Sequence, residues 1–148
     1  MSNNDYIVEA SNVRKTYRSN QNVVSALRGI DLQIKRGEMV AVMGPSGCGK
    51  TTLLNCLSGL DTIDGGDVLL EGESIHDMPD RKRTELRRSR MGFVFQSYNL
   101  LPVLTSVQNV ELPLIIGGAP RRQAHDQAKR MLGLVDLGDR LDHRPMEL

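Results

Sequence analysis

With 148 residues, of which 39% are apolar, the chain is long enough for one domain with a real core. Its 19 Lys+Arg against 18 Asp+Glu argue against a polyanionic partner, so nucleic acid is not expected. No apolar run reaches the length of a membrane span, and Asn3-Asn4-Asp5 near the start lacks the basic and apolar regions of a signal peptide.

The first elements read as two strands, Ile7 to Tyr17 and Val23 to Lys35, with Ser19-Asn20-Gln21-Asn22 as the turn between them. In the second, Ile30, Leu32 and Ile34 alternate with Asp31, Gln33 and Lys35, so one face is wet and the pair is expected to be antiparallel. Tyr17 closes the first strand. An aromatic ring there could stack on a purine base, worth ~1–3 kcal/mol, though spacing alone favours a plain sheet-edge tyrosine.

Arg36-Gly37 turns the chain into Met39-Val40-Ala41-Val42-Met43, an unbroken apolar run of the kind a strand buried on both faces requires. Gly44-Pro45-Ser46-Gly47-Cys48-Gly49-Lys50-Thr51 then matches G-x-x-x-x-G-K-[ST]. The glycines allow the backbone to turn tightly and approach an anion closely. The loop N–H groups can point inward as a nest, and a helix beginning near Lys50 adds its positive end. Lys50 reaches outer phosphates in such a loop, and the Thr51 hydroxyl ligates the bridging Mg²⁺. Leu53, Leu57 and Leu60 recur at helical spacing, with Gly59 as the end signal. Strand, glycine loop and helix together are the context the motif demands. Cys48 and Cys56 have neither zinc nor redox spacing; they read as reduced and cytosolic, with Cys48 filling a small loop position.

Asp64-Gly65-Gly66-Asp67 is a turn signal, and Val68-Leu69-Leu70 with the residues after Gly72 predicts a short hairpin. Val68 to Glu71 mimics an apolar strand ending in a catalytic carboxylate, but the run is short and Gly72 follows at once. Pro79-Asp80 opens a helix carrying Arg81-Lys82-Arg83 and Arg87-Arg88-Ser89-Arg90, a solvated face rather than a nucleic-acid patch. Met91 to Phe95 predicts a second strand of the central sheet, followed directly by Gln96. Ligands in open α/β sheets lie beyond such strand ends, so Gln96 is either a magnesium or water ligand or an exposed loop residue.

From Leu100 the pattern turns helical. Thr105 and Gln108 fit a capping box, Val107, Val110 and Leu114 share a face, and Pro113 is expected to kink or end the helix. Gly117-Gly118 breaks it, and Pro120 suits the first turn of the next helix, where Ala124, Ala128, Met131 and Leu132 share a side. Asp136 to His143 reads as a loop or short turn, and His76, His125 and His143 as surface or turn residues.

With these residues laid out, the chain resembles the nucleotide-binding domain of ABC transporters from about Tyr6 to Leu148. The likeness rests on Tyr17, Leu27 to Leu32, Met43 to Thr52, Gly92-Phe93-Val94-Phe95-Gln96, Asn99-Leu100-Leu101-Pro102 and Leu104 to Val110. Met43 to Gly47 and Leu112-Pro113-Leu114 point within the family to the lipoprotein-release and macrolide-export type. The resemblance implies an α/β P-loop NTPase fold: an N-terminal antiparallel β element, a partial parallel core sheet and a helical subdomain, divided at about 1–99 and 100–148. It implies ATP and Mg²⁺ as ligands, with ATP held by Tyr17, stacking on adenine, and by Gly44, Pro45, Ser46, Gly47, Cys48, Gly49, Lys50, Thr51 and Thr52. The metal would be held by Thr51 and Gln96. The implied partners are a membrane permease and, for the full-length form, a second copy, at the cytoplasmic face of the inner membrane.

The same resemblance places the Ser-Gly-Gly-Gln signature, the Walker B aspartate with the catalytic glutamate, and the switch histidine after residues like Glu147-Leu148, so none is expected in these 148 residues. Two expectations follow. ATP hydrolysis by this chain alone should sit near background, and bare apolar faces should remain, leaving the monomer weakly stable or prone to aggregate. The alternatives are a nucleotide-binding module without catalysis and a soluble ABC protein without a membrane partner.

Overall fold

The computed structural model describes residues 5–19 and 22–148. The turn expected over 19–22 includes Asn20 and Gln21, which lie outside the described residues, as do Asn3 and Asn4. The chain divides into two compact units, Met1–Gly92 and Phe93–Leu148.

In the first unit, β1 (Tyr6–Ser19) and β2 (Asn22–Lys35) form the expected antiparallel pair, with Val8 opposite Ile34, Ala10 opposite Leu32 and Val13 opposite Ile30. The ladder slips at Asn12, whose φ is +49° and whose freed N–H donates to Asp31 Oδ1 at 2.7 Å. Such a bulge bends and twists the long ribbon locally. The hairpin of β3 (Gly65–Leu70) and β4 (Glu73–Ser74) is present, and β3 pairs antiparallel with β1, giving the order β2-β1-β3-β4. Gly65 and Gly66 belong to β3 rather than to a free turn. The reason is close approach: a Cβ on Gly66 would stand 2.3 Å from the Asn12 carbonyl oxygen and 2.4 Å from that of Ser11. No side chain fits between these strands.

Helix α1 (Lys50–Leu57) ends at Ser58 and Gly59, as its spacing predicts. It lays Leu53, Cys56 and Leu57 against Ala10, Val13, Leu27, Val68 and Leu70, and Ile75 and Met78 complete this core. Helix α2 (Asp80–Arg90) buries none of its residues. Its basic run is nonetheless not all solvated, because two arginines fold inward as carbonyl clamps. Arg87 Nη1 donates to the Gly59 carbonyl at 2.7 Å, and Arg83 Nη2 to that of Met78 at 3.0 Å.

Two expected core strands are corrected. Residues 39–43 and 91–95 are not strands, and every pairing among the described residues is antiparallel, so the partial parallel core sheet is not formed. An extended segment becomes a strand only when neighbouring strands take up its N–H and C=O groups. Neither segment has such a neighbour among the described residues. Met39 and Val94 are fully exposed.

The second unit is helical. α3 (Ser106–Ile116) begins with the predicted capping box: Gln108 N–H donates to Thr105 Oγ1 at 3.3 Å, and Thr105 N–H to Gln108 Oε1 at 3.0 Å. Two more first-turn donors are satisfied from afar, Ser106 N–H by the His143 carbonyl at 2.7 Å and Val107 N–H by that of Leu141 at 3.0 Å. Pro113 does not end α3, which runs another turn to its cap at Gly117. α4 (Arg121–Leu134) starts just after Pro120 and buries Ala124, Ala128 and Leu132. Val107, Ala128 and Leu132 form the small core of this unit, while Met131 points away and is exposed. His125 is no isolated surface residue, since its ring pairs with Glu111 of α3.

Candidate nucleotide site

The glycine loop 44–49 is built between β2 and α1. β2 carries an extra residue, Ala26, between Leu27, which faces Lys15, and Ser25, which faces Thr16. The carbonyl of Ala26 is thereby aimed at the loop, where a Cβ on Gly49 would lie 2.8 Å from its oxygen. Gly49 also sits at φ +101°, a left-handed conformation costly for any other residue. The loop is thus backbone packed on backbone, and only its Cys48 N–H is turned to a loop carbonyl, that of Pro45 at 3.4 Å.

Helix α1 has no acidic residue in its first turn and no side-chain cap, because its N-cap is Gly49. Its leading N–H groups are therefore open donors at the positive end of the helix dipole. Lys50 Nζ bridges the Gly44 and Pro45 carbonyls at 2.8 and 2.7 Å and lies 3.7 Å from Cys48 Sγ. The ammonium is held over the loop by weak acceptors that a phosphate oxygen would outbid. Thr51, the residue after it, is exposed, and so is Cys48, which occupies the loop beside the ammonium rather than a closed space.

Tyr17 lies near the end of β1 and is 42% exposed. Its hydroxyl donates to Asp61 Oδ2 at 2.6 Å. That bond to a carboxylate raises its pKa, and the Thr52 hydroxyl beside it, in the first turn of α1, opposes the rise. Tyr17 and Thr52 are therefore brought to one place with the loop. Gln96 belongs to the second unit, where it occupies an exposed turn after the stacked rings of Phe93 and Phe95.

Other contacts in the two units were not foreseen from the sequence. Asp61 and Lys15 form an ion pair at 2.8 Å under the Tyr17 ring. His76 is half-buried, not superficial, and pairs through Nε2 with the Cys56 carbonyl at 2.9 Å; burial lowers its pKa. In the second unit, Asn109 Nδ2 donates to the carbonyls of Leu101, Leu104 and Thr105 at 3.0–3.1 Å and so shapes the segment before α3. No local spacing announces the Asp61 and His76 pairings, because both reach across the first unit. Among the described residues no group of three His, Cys, Asp or Glu side chains could hold a metal unaided.

The ABC transporter family pattern matches residues 27–148. The chain belongs to the ABC transporter ATP-binding family. It is 49% identical over 142 residues to an uncharacterized ABC transporter ATP-binding protein of Thermotoga maritima, covering 96% of this chain and 61% of that one. It is 44% identical to the lipoprotein-releasing system ATP-binding protein LolD of Porphyromonas gingivalis, again over 96% of this chain and 63% of LolD. Against the macrolide export ATP-binding/permease protein MacB of Brucella abortus it is 45% identical over 96% of this chain but 22% of MacB. The structure of the ATP-binding cassette MJ0796 in a dimeric state bound to ADP and phosphate superposes with a TM-score of 0.86 at 39% identity, covering 95% of this chain and 62% of that one. The ABC chain thus has the α/β P-loop fold of these cassettes and spans about three-fifths of the length of the single-cassette relatives.

Proposed function

We propose that this ABC chain binds ATP with magnesium at the 44–51 loop and, as the ATP-binding subunit of an export system, works with a separate membrane permease. The observation that carries the reading is the cradle itself. Gly49 is pressed against the Ala26 carbonyl, the α1 N-terminus is uncapped, and the Lys50 ammonium rests on loop carbonyls. This is a donor-bearing cradle suited to a polyphosphate. Tyr17 stands beside Thr52 and is exposed, the placement a base platform needs. Bound magnesium neutralises phosphate charge. Thr51 is its proposed ligand within the first unit, and the same role for Gln96 rests on its motif position alone.

Permease coupling is supported by the combined ATP-binding and permease name of MacB, and self-association by the dimeric state of MJ0796. Both are proposals here, as is a location at the cytoplasmic face of the inner membrane. No helix among the described residues is long and apolar enough to cross a membrane. These 148 residues alone are proposed to bind without turnover, since no described carboxylate is hydrogen-bonded to loop 44–51 that could orient an attacking water. Isothermal titration with Mg-ATP tests binding, with Lys50→Ala as the control. Heat of binding that survives Lys50→Ala, or robust turnover that depends on Lys50, would overturn the respective half. Co-purification with a membrane permease separates this reading from a soluble ABC protein.

A further inference from the structure

We propose that Asp61 and Lys15 are positioning residues for nucleotide, holding the Tyr17 ring as a rigid base platform beside the phosphate loop. The proposal rests on the reading that Tyr17 meets the base.

The geometry begins with the turn after α1. The N–H groups of Leu60 and Asp61 both donate to the Asn55 carbonyl, at 2.9 and 3.1 Å, so the chain doubles back along the helix instead of leaving its end. Asp61 is thereby returned toward the first turn of α1, where Thr52 stands. Its two oxygens are divided. Oδ1 accepts from Lys15 Nζ at 2.8 Å and from the Thr62 N–H at 2.7 Å, and Oδ2 accepts from the Tyr17 hydroxyl at 2.6 Å. Lys15 and Tyr17 are two apart on β1 and so lie on the same face of the strand. Lys15 is only 6% exposed, its ammonium also donates to Thr62 Oγ1 at 3.0 Å, and it lies 5.2 Å from the centre of the Tyr17 ring.

A sheet-edge tyrosine with nothing but packing to serve would not need this. A lysine ammonium is costly to withdraw from water, and it is tolerated here because its donors meet Asp61 and Thr62. The outcome of that expense is a carboxylate with no freedom to turn. It grips the far end of an aromatic side chain whose ring is still partly open to solvent. Pinning the ring in place lowers the ordering cost of stacking a base on it. The electrostatics agree: hydrogen bonds from Lys15 and then Tyr17 lower the Asp61 pKa, so the anchor stays ionised at neutral pH.

The test compares two ligands on one protein. Mg-ATP and inorganic tripolyphosphate with magnesium are titrated into the 148-residue chain and into Tyr17→Ala, Tyr17→Phe and Asp61→Asn. Tyr17→Phe keeps the ring and removes only the hydroxyl, so it leaves the core and the Lys15–Asp61 pair intact. Tyr17→Ala should weaken ATP about ten-fold. Tyr17→Phe and Asp61→Asn should weaken it about three-fold, and none of the three should alter tripolyphosphate affinity. If Tyr17→Ala acts on ATP alone but Tyr17→Phe and Asp61→Asn do nothing, the positioning role is overturned and the base platform survives. If Tyr17→Ala leaves ATP unchanged, the base platform itself fails and takes the proposal with it. Equal weakening of both ligands by Tyr17→Phe and Asp61→Asn also overturns the proposal, because it marks the network as scaffolding for the loop.

Discussion

Residues 30–34 and 39–43 lie a few positions apart, and the second run is the more apolar, yet only the first is a strand. Ile30, Leu32 and Ile34 face Val13, Ala10 and Val8 across a ladder. Met39 to Met43 has no ladder partner among the described residues, and Met39 is fully exposed. Apolar composition makes a segment willing to be buried. Whether it becomes a strand depends on backbone groups supplied by another part of the chain. The same contrast separates Val68, wholly buried in β3, from Val94, wholly exposed in the second unit.

The comparison is broken most severely where β1 and β3 touch. Gly66→Ala forces a Cβ to 2.3 Å from a carbonyl oxygen at a φ of +83°. It should cost about 3 kcal/mol or more and is expected to abolish the cooperative urea transition. Gly37→Ala, also at positive φ (+77°) but in open space, should cost only about 1 kcal/mol. If the two were equal, backbone contact would not be what orders this sheet. Next in size, Ile75→Ala, in the core under α1, should cost ~2–5 kcal/mol in denaturant unfolding.

Lys50→Ala acts on the site and not on the sheet. It should lower Mg-ATP affinity about 10- to 100-fold while leaving the melting curve in place, because the lysine's partners in the protein are exposed loop carbonyls. A large stability loss instead would mark Lys50 as structural.

Acid should weaken the first unit in two stages. His76 has a folded pKa below its ordinary 6.5, so the unfolded chain takes up that proton first and stability declines as pH falls through 6.5. Asp61 has a folded pKa below 3.8, so its contribution is present above that value and is lost as pH drops through the folded one. Urea midpoints measured from pH 8 to 3 check this, and His76→Gln should flatten the upper stage alone.

The smallest effect is expected in the unladdered segments. Met39→Lys and Val94→Lys should each change stability by less than about 0.5 kcal/mol. They should nonetheless reduce the binding of a hydrophobic dye, since both side chains are fully exposed. A substantial loss of stability would mean that these segments are packed after all.

What could be read directly were features that act over a few neighbouring residues. The glycine loop and its following helix, the Thr105–Gln108 capping box and the alternation in β2 depend on spacing, and spacing is written in the chain. Of the two outcomes expected at Pro113, an end to the helix is not met, since α3 continues to Ile116 with Gly117 as its cap. The solvated reading of α2 holds for Arg81, Lys82, Arg88 and Arg90 but not for Arg83 and Arg87, and the Gly59 carbonyl that draws Arg87 inward lies 28 positions away. The Asp61–Lys15–Tyr17 network was invisible for a related reason: Asp61 lies more than 40 positions from Lys15 and Tyr17 and meets them only once the chain doubles back at Asn55.

Local order along the polypeptide determined where a phosphate could be held, since a turn of glycines leading into a helix carries its own donors. Only the tertiary structure decided which apolar runs became strands and which carboxylate gripped the tyrosine. Strand ladders and ion pairs need two partners, and the distance between partners in the fold is not a property of either one.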